Sequence, residues 1–118
     1  MATKAQRLHE QIERVKRELL TVGGLRPGSL SKQYNVCGTP GCRCKDPQKP
    51  RKHGPYYQLS YVWRGQSSSR FVRPEQLAAT RRKVRNYKRF RKLVNEWVGL
   101  AVELERAERA AAKQSHGD

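Results

Sequence analysis

Cys37, Cys42, Cys44 and His53 carry the chemistry most easily read from this chain, in the spacing C-x4-C-x-C-x8-H. They include all three cysteines of the 118-residue sequence, so the three cannot all pair within one chain. Thiolate and imidazole are donors that zinc favours, and Cys3His is a common tetrahedral set for structural zinc. Gly38, Pro40 and Gly41 allow a tight turn between the first two thiols, and Gly54-Pro55 leads the chain away after the histidine. The expected cofactor is therefore one zinc ion, held by Cys37, Cys42, Cys44 and His53. Four protein ligands close the coordination sphere, which makes the site structural rather than catalytic.

Other uses of the thiols stay open at this level. They can be redox-sensing cysteines, activated by neighbouring cations, or inert small buried residues. His53 is the weakest of the four assignments, because an eight-residue spacer rich in Lys and Pro guarantees nothing. A partner chain or a water can supply the fourth ligand instead.

From Cys37 to Pro55 the chain has no Val, Ile, Leu, Met, Phe, Tyr or Trp. Such a segment cannot fold around an apolar core. A bound metal would replace that core, with a folding contribution of about 10–16 kcal/mol in small zinc modules.

Charge gives the second signal. The chain carries 26 Lys and Arg against 10 Asp and Glu, a net charge of +16. Residues 26–92 hold 18 of those cations against only Asp46 and Glu75. Basicity confined to one segment is the footprint of a protein that meets a polyanion, and nucleic acid is the expected partner, DNA ahead of RNA. The residues expected to meet phosphate are Arg43, Lys45, Lys49, Arg51 and Lys52 in the cysteine segment. Arg64, Arg70 and Arg73 follow them, and then Arg81, Arg82, Arg85, Lys88, Arg89 and Lys92 on a helix.

These residues need elements to position them. Leu8, Ile12, Val15, Leu19 and Val22 step by four and three, the seam of a helix over residues 3–22 that Gly23-Gly24 would end. A longer helix is expected over 74–113, opened by Pro74 and Glu75. Its series Phe90, Leu93, Trp97, Leu100, Leu104, Ala107 and Ala111 again steps by three and four, across Gly99. Two seams of similar length predict an antiparallel helical hairpin, or the same seams pairing between chains. At 100° per residue Arg81, Arg85, Lys88, Arg89 and Lys92 share one face, with Arg82 at its border.

Residues 56–73 read as a β-hairpin, because Tyr57, Leu59, Tyr61 and Trp63 alternate with Tyr56, Gln58, Ser60 and Val62 around a turn at 64–66. Val84, Tyr87 and Phe90 are expected to cover its apolar face. The four aromatics Tyr56, Tyr57, Tyr61 and Trp63 are expected mainly in the core, with base stacking as the other use. Asn86 and Gln66 are candidates for base edges, and His9 and His116 read as surface residues.

The fold expected is α+β and mainly α, a single domain. It comprises the helical hairpin with a zinc-knuckle segment (26–56) and a β-hairpin inserted at one end, and a frayed tail at 114–118. No apolar run of about 18 residues is present, and the N-terminus has no apolar signal region, so a cytoplasmic protein is expected. Paired carboxylates and a Gly-rich phosphate loop are absent, which argues against an enzyme.

The stretches RPGSL (26–30), CGTPGCRC (37–44), HGPYY (53–57) and FVR (71–73) resemble those of an uncharacterised family of small basic prokaryotic proteins. Its members carry a CGxPxCxC…HGPYY signature, an aromatic strand and a long helix. The resemblance extends over about residues 26–100. It implies that Cys37, Cys42, Cys44 and His53 act as one unit, and an association with transposase genes points toward DNA. It implies no activity. The function expected is thus a zinc-stabilised nucleic-acid-binding protein. The alternative is a coiled-coil assembly module that oligomerises or joins a recombinase or transposase.

Overall fold

The computed structural model describes residues 1–116. Of the tail expected to fray at 114–118, residues 114–116 continue a helix, and 117–118 with the side chains of Ser115 and His116 lie outside the described residues. The chain divides into two compact units, one of residues 1–24 with 86–118 and one of residues 25–85.

The first unit is helical. Helix α1 spans Lys4–Leu19, opened by a capping box in which Thr3 and Gln6 satisfy each other's backbone N–H. Its seam is buried at Leu8, Ile12 and Val15. The helix stops before the glycine pair. Leu20 keeps a right-handed conformation, and the chain leaves through a tighter turn, with N–H of Thr21 on the Glu18 carbonyl at 3.0 Å. Gly23 and Gly24 are not needed for a left-handed cap.

Helix α2 spans Pro74–His116. Within the first unit it packs on α1 as an antiparallel partner: Arg89 bonds Thr21, Lys16 lies over the Trp97 ring, and Thr3–Ala5 lie beside Arg106–Gln114. Leu93 is buried, while Leu100, Leu104 and Ala107 are half-buried along the same stripe. The fold class expected from the seams, mainly α with a long helix on a short one, is the fold observed.

The second unit is a three-stranded antiparallel sheet covered by the start of α2. Its strands are β1 (Ser29–Asn35), β2 (His53–Trp63) and β3 (Gln66–Val72), in the order β1-β2-β3. Arg64 and Gly65 both take positive φ, 49° and 78°, so β2 and β3 join through a two-residue turn whose twist matches the strands. β1 was not expected. It lies inside the segment assigned to the knuckle, and its alternation is hidden by Ser and Lys, because an edge strand buries little.

Leu30 of β1 pairs with Leu59, which is completely buried. Leu59, Val72 and Val84 form the core, with Leu30, Tyr57, Tyr61 and Leu77 against it. Of the three helix residues expected over the sheet, Val84 takes that place and is joined by Leu77. Tyr87 and Phe90 belong to the helical unit and stack on each other at 6.4 Å.

Candidate metal centre and basic surface

The ends of β1 and β2 bring the four sulfur and nitrogen donors together. Asn35 pairs with His53 across a bulge in β1, so Cys37 leaves its strand beside the histidine that opens the next. Gly54 makes this possible, because at φ 130° a Cβ there would lie 2.8 Å from the Gln33 carbonyl oxygen. Between the strands the chain turns at Thr39–Cys42 and enters a 3-10 turn at Arg43–Lys45, which buries Cys44.

The resulting cluster is tight. Cys37 Sγ lies 3.6 Å from Cys44 Sγ, and Cys42 Sγ lies 3.2 Å from His53 Nε2. The Cys37 N–H donates to Cys44 Sγ at 3.4 Å. All four donor atoms fall within 4.8 Å of one another. A tetrahedral zinc site with ordinary bond lengths has S···S edges of about 3.8 Å and S···N edges of about 3.6 Å. The observed spacings fit those edges with small adjustments. The four residues can hold a metal ion, and their donor set suits zinc.

The thiols differ electrostatically. The backbone N–H of Thr39, followed by hydrogen bonds from His53, Cys42 and Cys44, brings Cys37 down to about 6. Burial pushes the Cys44 thiol up. Cys37 is therefore the thiol that ionises more readily of the two. The buried one, Cys44, yields its proton to a cation that takes the proton's place.

All fourteen cations expected to meet phosphate are exposed. Arg43, Lys45, Lys49, Arg51 and Lys52 surround the cluster in sequence, Arg64 sits in the hairpin turn, and Arg70 lies on β3. Some have neighbours in the protein. Arg81 lies over the Tyr57 ring and Arg64 over Trp63, each at 5.4 Å, and Arg89 donates to Thr21 Oγ1 at 3.1 Å. Among the described residues the two ion pairs are Lys16–Glu13 and Arg109–Glu105, both in the helical unit. The sheet unit has fourteen Lys and Arg, two acids and no ion pair among the described residues.

The aromatics divide by strand face. Tyr57 and Tyr61 pack at the core, and guanidinium groups cover them: Arg81 on Tyr57, and Arg26 on Tyr61 at 4.1 Å. Tyr56 lies on the opposite face, 6.4 Å from Phe71 in an edge-on arrangement. Phe71 escaped the sequence reading. The alternation Ser67, Ser69, Phe71 places it on the open face, and that signal was available. Asn86, a candidate for base edges, instead donates to the Gly24 carbonyl at 2.7 Å.

No helix among the described residues is long and apolar enough to cross a membrane. No curated protein and no solved structure matches the chain. A family model does match, over residues 5–82, and that span takes in α1 from its second residue, all three strands, the four residues of the Cys–His cluster and the first turns of α2. With two thirds of its length inside that match, the chain belongs to the family described as a domain of unknown function, DUF6788.

Proposed function

We propose that the protein is a zinc-stabilised nucleic-acid-binding protein, with DNA as its polymer ahead of RNA. The observation that carries this reading is the sheet unit itself, where fourteen exposed or half-exposed cations face two acids with no ion pair among the described residues. Unpaired cations at that density repel one another and bind polyanions by releasing their counterions. Phosphate contacts from Arg43, Lys45, Lys49, Arg51 and Lys52 lie in the cysteine segment, and Arg64, Arg70 and Arg73 add contacts on the hairpin. Arg81, Arg82, Arg85, Lys88, Arg89 and Lys92 extend them along α2. Cys37, Cys42, Cys44 and His53 hold the zinc, which supplies rigidity and leaves no open coordination position for catalysis.

A titration by fluorescence anisotropy tests this reading, using duplex DNA and duplex RNA of equal length over a salt series, with and without a chelator. Steep salt dependence, tighter binding to DNA and loss on chelation are expected. Weak binding to both polymers that vanishes at physiological salt sinks it.

A second reading is a coiled-coil module that joins copies of the chain or a recombinase-like partner. Val98 and Val102, exposed on α2, favour it. Charge reversal at Arg82 and Arg85 separates the two readings, because it weakens polyanion binding and its salt dependence and leaves assembly intact.

A further inference from the structure

The sheet has a second face that the phosphate contacts do not use. From β1 it presents Ser29, Ser31 and Gln33, from β2 Tyr56, Gln58, Ser60 and Val62, and from β3 Ser67, Ser69 and Phe71. No residue of this face is charged. An antiparallel sheet open to water normally shows long polar side chains on that side. Here short serines leave the aromatic rings standing clear. Tyr56 is 42% exposed, Phe71 58% and Val62 62%. The polar groups between them are ordered, since Gln33 Nε2 donates to Gln58 Oε1 at 2.6 Å and Gln58 Nε2 donates to Ser69 Oγ at 3.0 Å.

We infer that this face is a stacking platform for unpaired bases of single-stranded DNA, with Tyr56 and Phe71 each taking one base. The inference rests on the nucleic-acid reading above and adds a second mode of contact to it.

Charge complementarity selects the occupant. The platform is uncharged, while the unit that carries it has a net charge of +12 from fourteen cations and two acids. A single strand places neutral aromatic bases and anionic phosphates along one chain, matching a neutral floor with cationic surroundings. A second copy of the chain would set +12 against +12, and a duplex keeps its base faces hidden. The two rings meet at 70° with centroids 6.4 Å apart, so they do not form one plane. They suit two successive splayed bases, as aromatic strands do in other single-strand binders. Tyr57 and Tyr61 are excluded from this role, because arginines already cover their rings.

The test uses the full chain with its metal and three DNA probes of equal length, namely oligo-dT, the same strand with abasic sites throughout and a duplex, with oligo-rU of that length beside them. Tyr56→Ala and Phe71→Ala should each weaken oligo-dT binding on the order of tenfold. Both should leave the abasic strand and the duplex unchanged. Tyr56→Phe should bind oligo-dT as the parent does, and 5-iodouracil in the strand should cross-link to Tyr56 or Phe71. Unchanged metal content and far-ultraviolet circular dichroism would establish that the variants fold.

If oligo-dT binding survives both alanine variants, the platform is wrong while the phosphate reading stands. Failure of the parent to bind any of the three probes ends both. Tighter binding to oligo-rU than to oligo-dT overturns the assignment to DNA. If Phe71→Ala alters the sedimentation of the protein alone and not its DNA binding, the face is a self-association surface and the inference falls.

Discussion

Removing the metal should unfold the sheet unit and spare the helical one. The fully buried apolar core of the sheet unit consists of Leu59, Val72 and Val84, with Cys44 buried apart from it in the cluster. Each buried aliphatic side chain contributes about 1.5–3 kcal/mol. A structural zinc contributes about 10–16 kcal/mol in small modules, as much as the whole net stability of an ordinary domain. A metal bound there would therefore contribute about as much as the whole apolar core. Its loss should appear as complete loss of protection rather than a modest weakening. Hydrogen exchange read by mass spectrometry resolves this by segment. After chelation, amides of Ser29–Asn35 and His53–Trp63 should exchange at nearly unfolded rates. Those of Lys4–Leu19, buried through Leu8, Ile12 and Val15, should keep their protection. Cys44→Ser should reproduce the chelated pattern in the untreated protein. If the strands stay protected once elemental analysis shows the metal gone, the argument that metal replaces the core is refuted.

Other consequences are smaller and separable. Arg82→Glu with Arg85→Glu should lower the slope of log affinity against log salt by about two on duplex DNA, because each lost phosphate contact removes about 0.9. Leu59→Ala should cost about 2–5 kcal/mol of sheet-unit stability in urea unfolding, and the half-buried Leu30→Ala less. Gly54→Ala would place a methyl 2.8 Å from the Gln33 carbonyl at a strained φ, so His53 should shift and chelator competition should show weaker metal binding. Thr3→Ala should lower the thermal stability of the helical unit by about 1 kcal/mol, because the capping box is lost.

The four donors were legible because their chemistry depends on residue type and spacing, and few residues can do it. The seams of α1 and α2 were legible because each buries a periodic stripe. β1 was not, since only Leu30 and Gln33 of its seven residues are even half-buried, and period-two patterning needs a buried face to impress it. The end of α1 was misplaced for a related reason. Gly23 and Gly24 look like a stop signal, yet the turn at Leu20–Val22 is closed by backbone bonds that any residue can make. Phe71 gave little signal because the serines at 67–69 leave β3 without apolar alternation, and its neighbour Val72 is the one that packs inward.

A metal held by the cluster and the charge around it would depend on each other physically. A surface of unpaired cations destabilises the compact state by self-repulsion, and three buried aliphatic side chains oppose that weakly. Metal–thiolate bonds are insensitive to such repulsion. They also reduce it, because three thiolates and a neutral imidazole carry one more negative charge than a divalent ion neutralises. That residual charge lies in a segment containing Arg43, Lys45, Arg51 and Lys52. Those cations in turn favour the thiolate form that the metal requires. Raising ionic strength screens both effects at once. Metal retention against a chelator should therefore weaken with salt, in parallel with polyanion binding. A retention curve flat from 0.05 to 1 M salt, as an order-of-magnitude range around the screening transition, would uncouple the two and leave the basic segment needing another explanation.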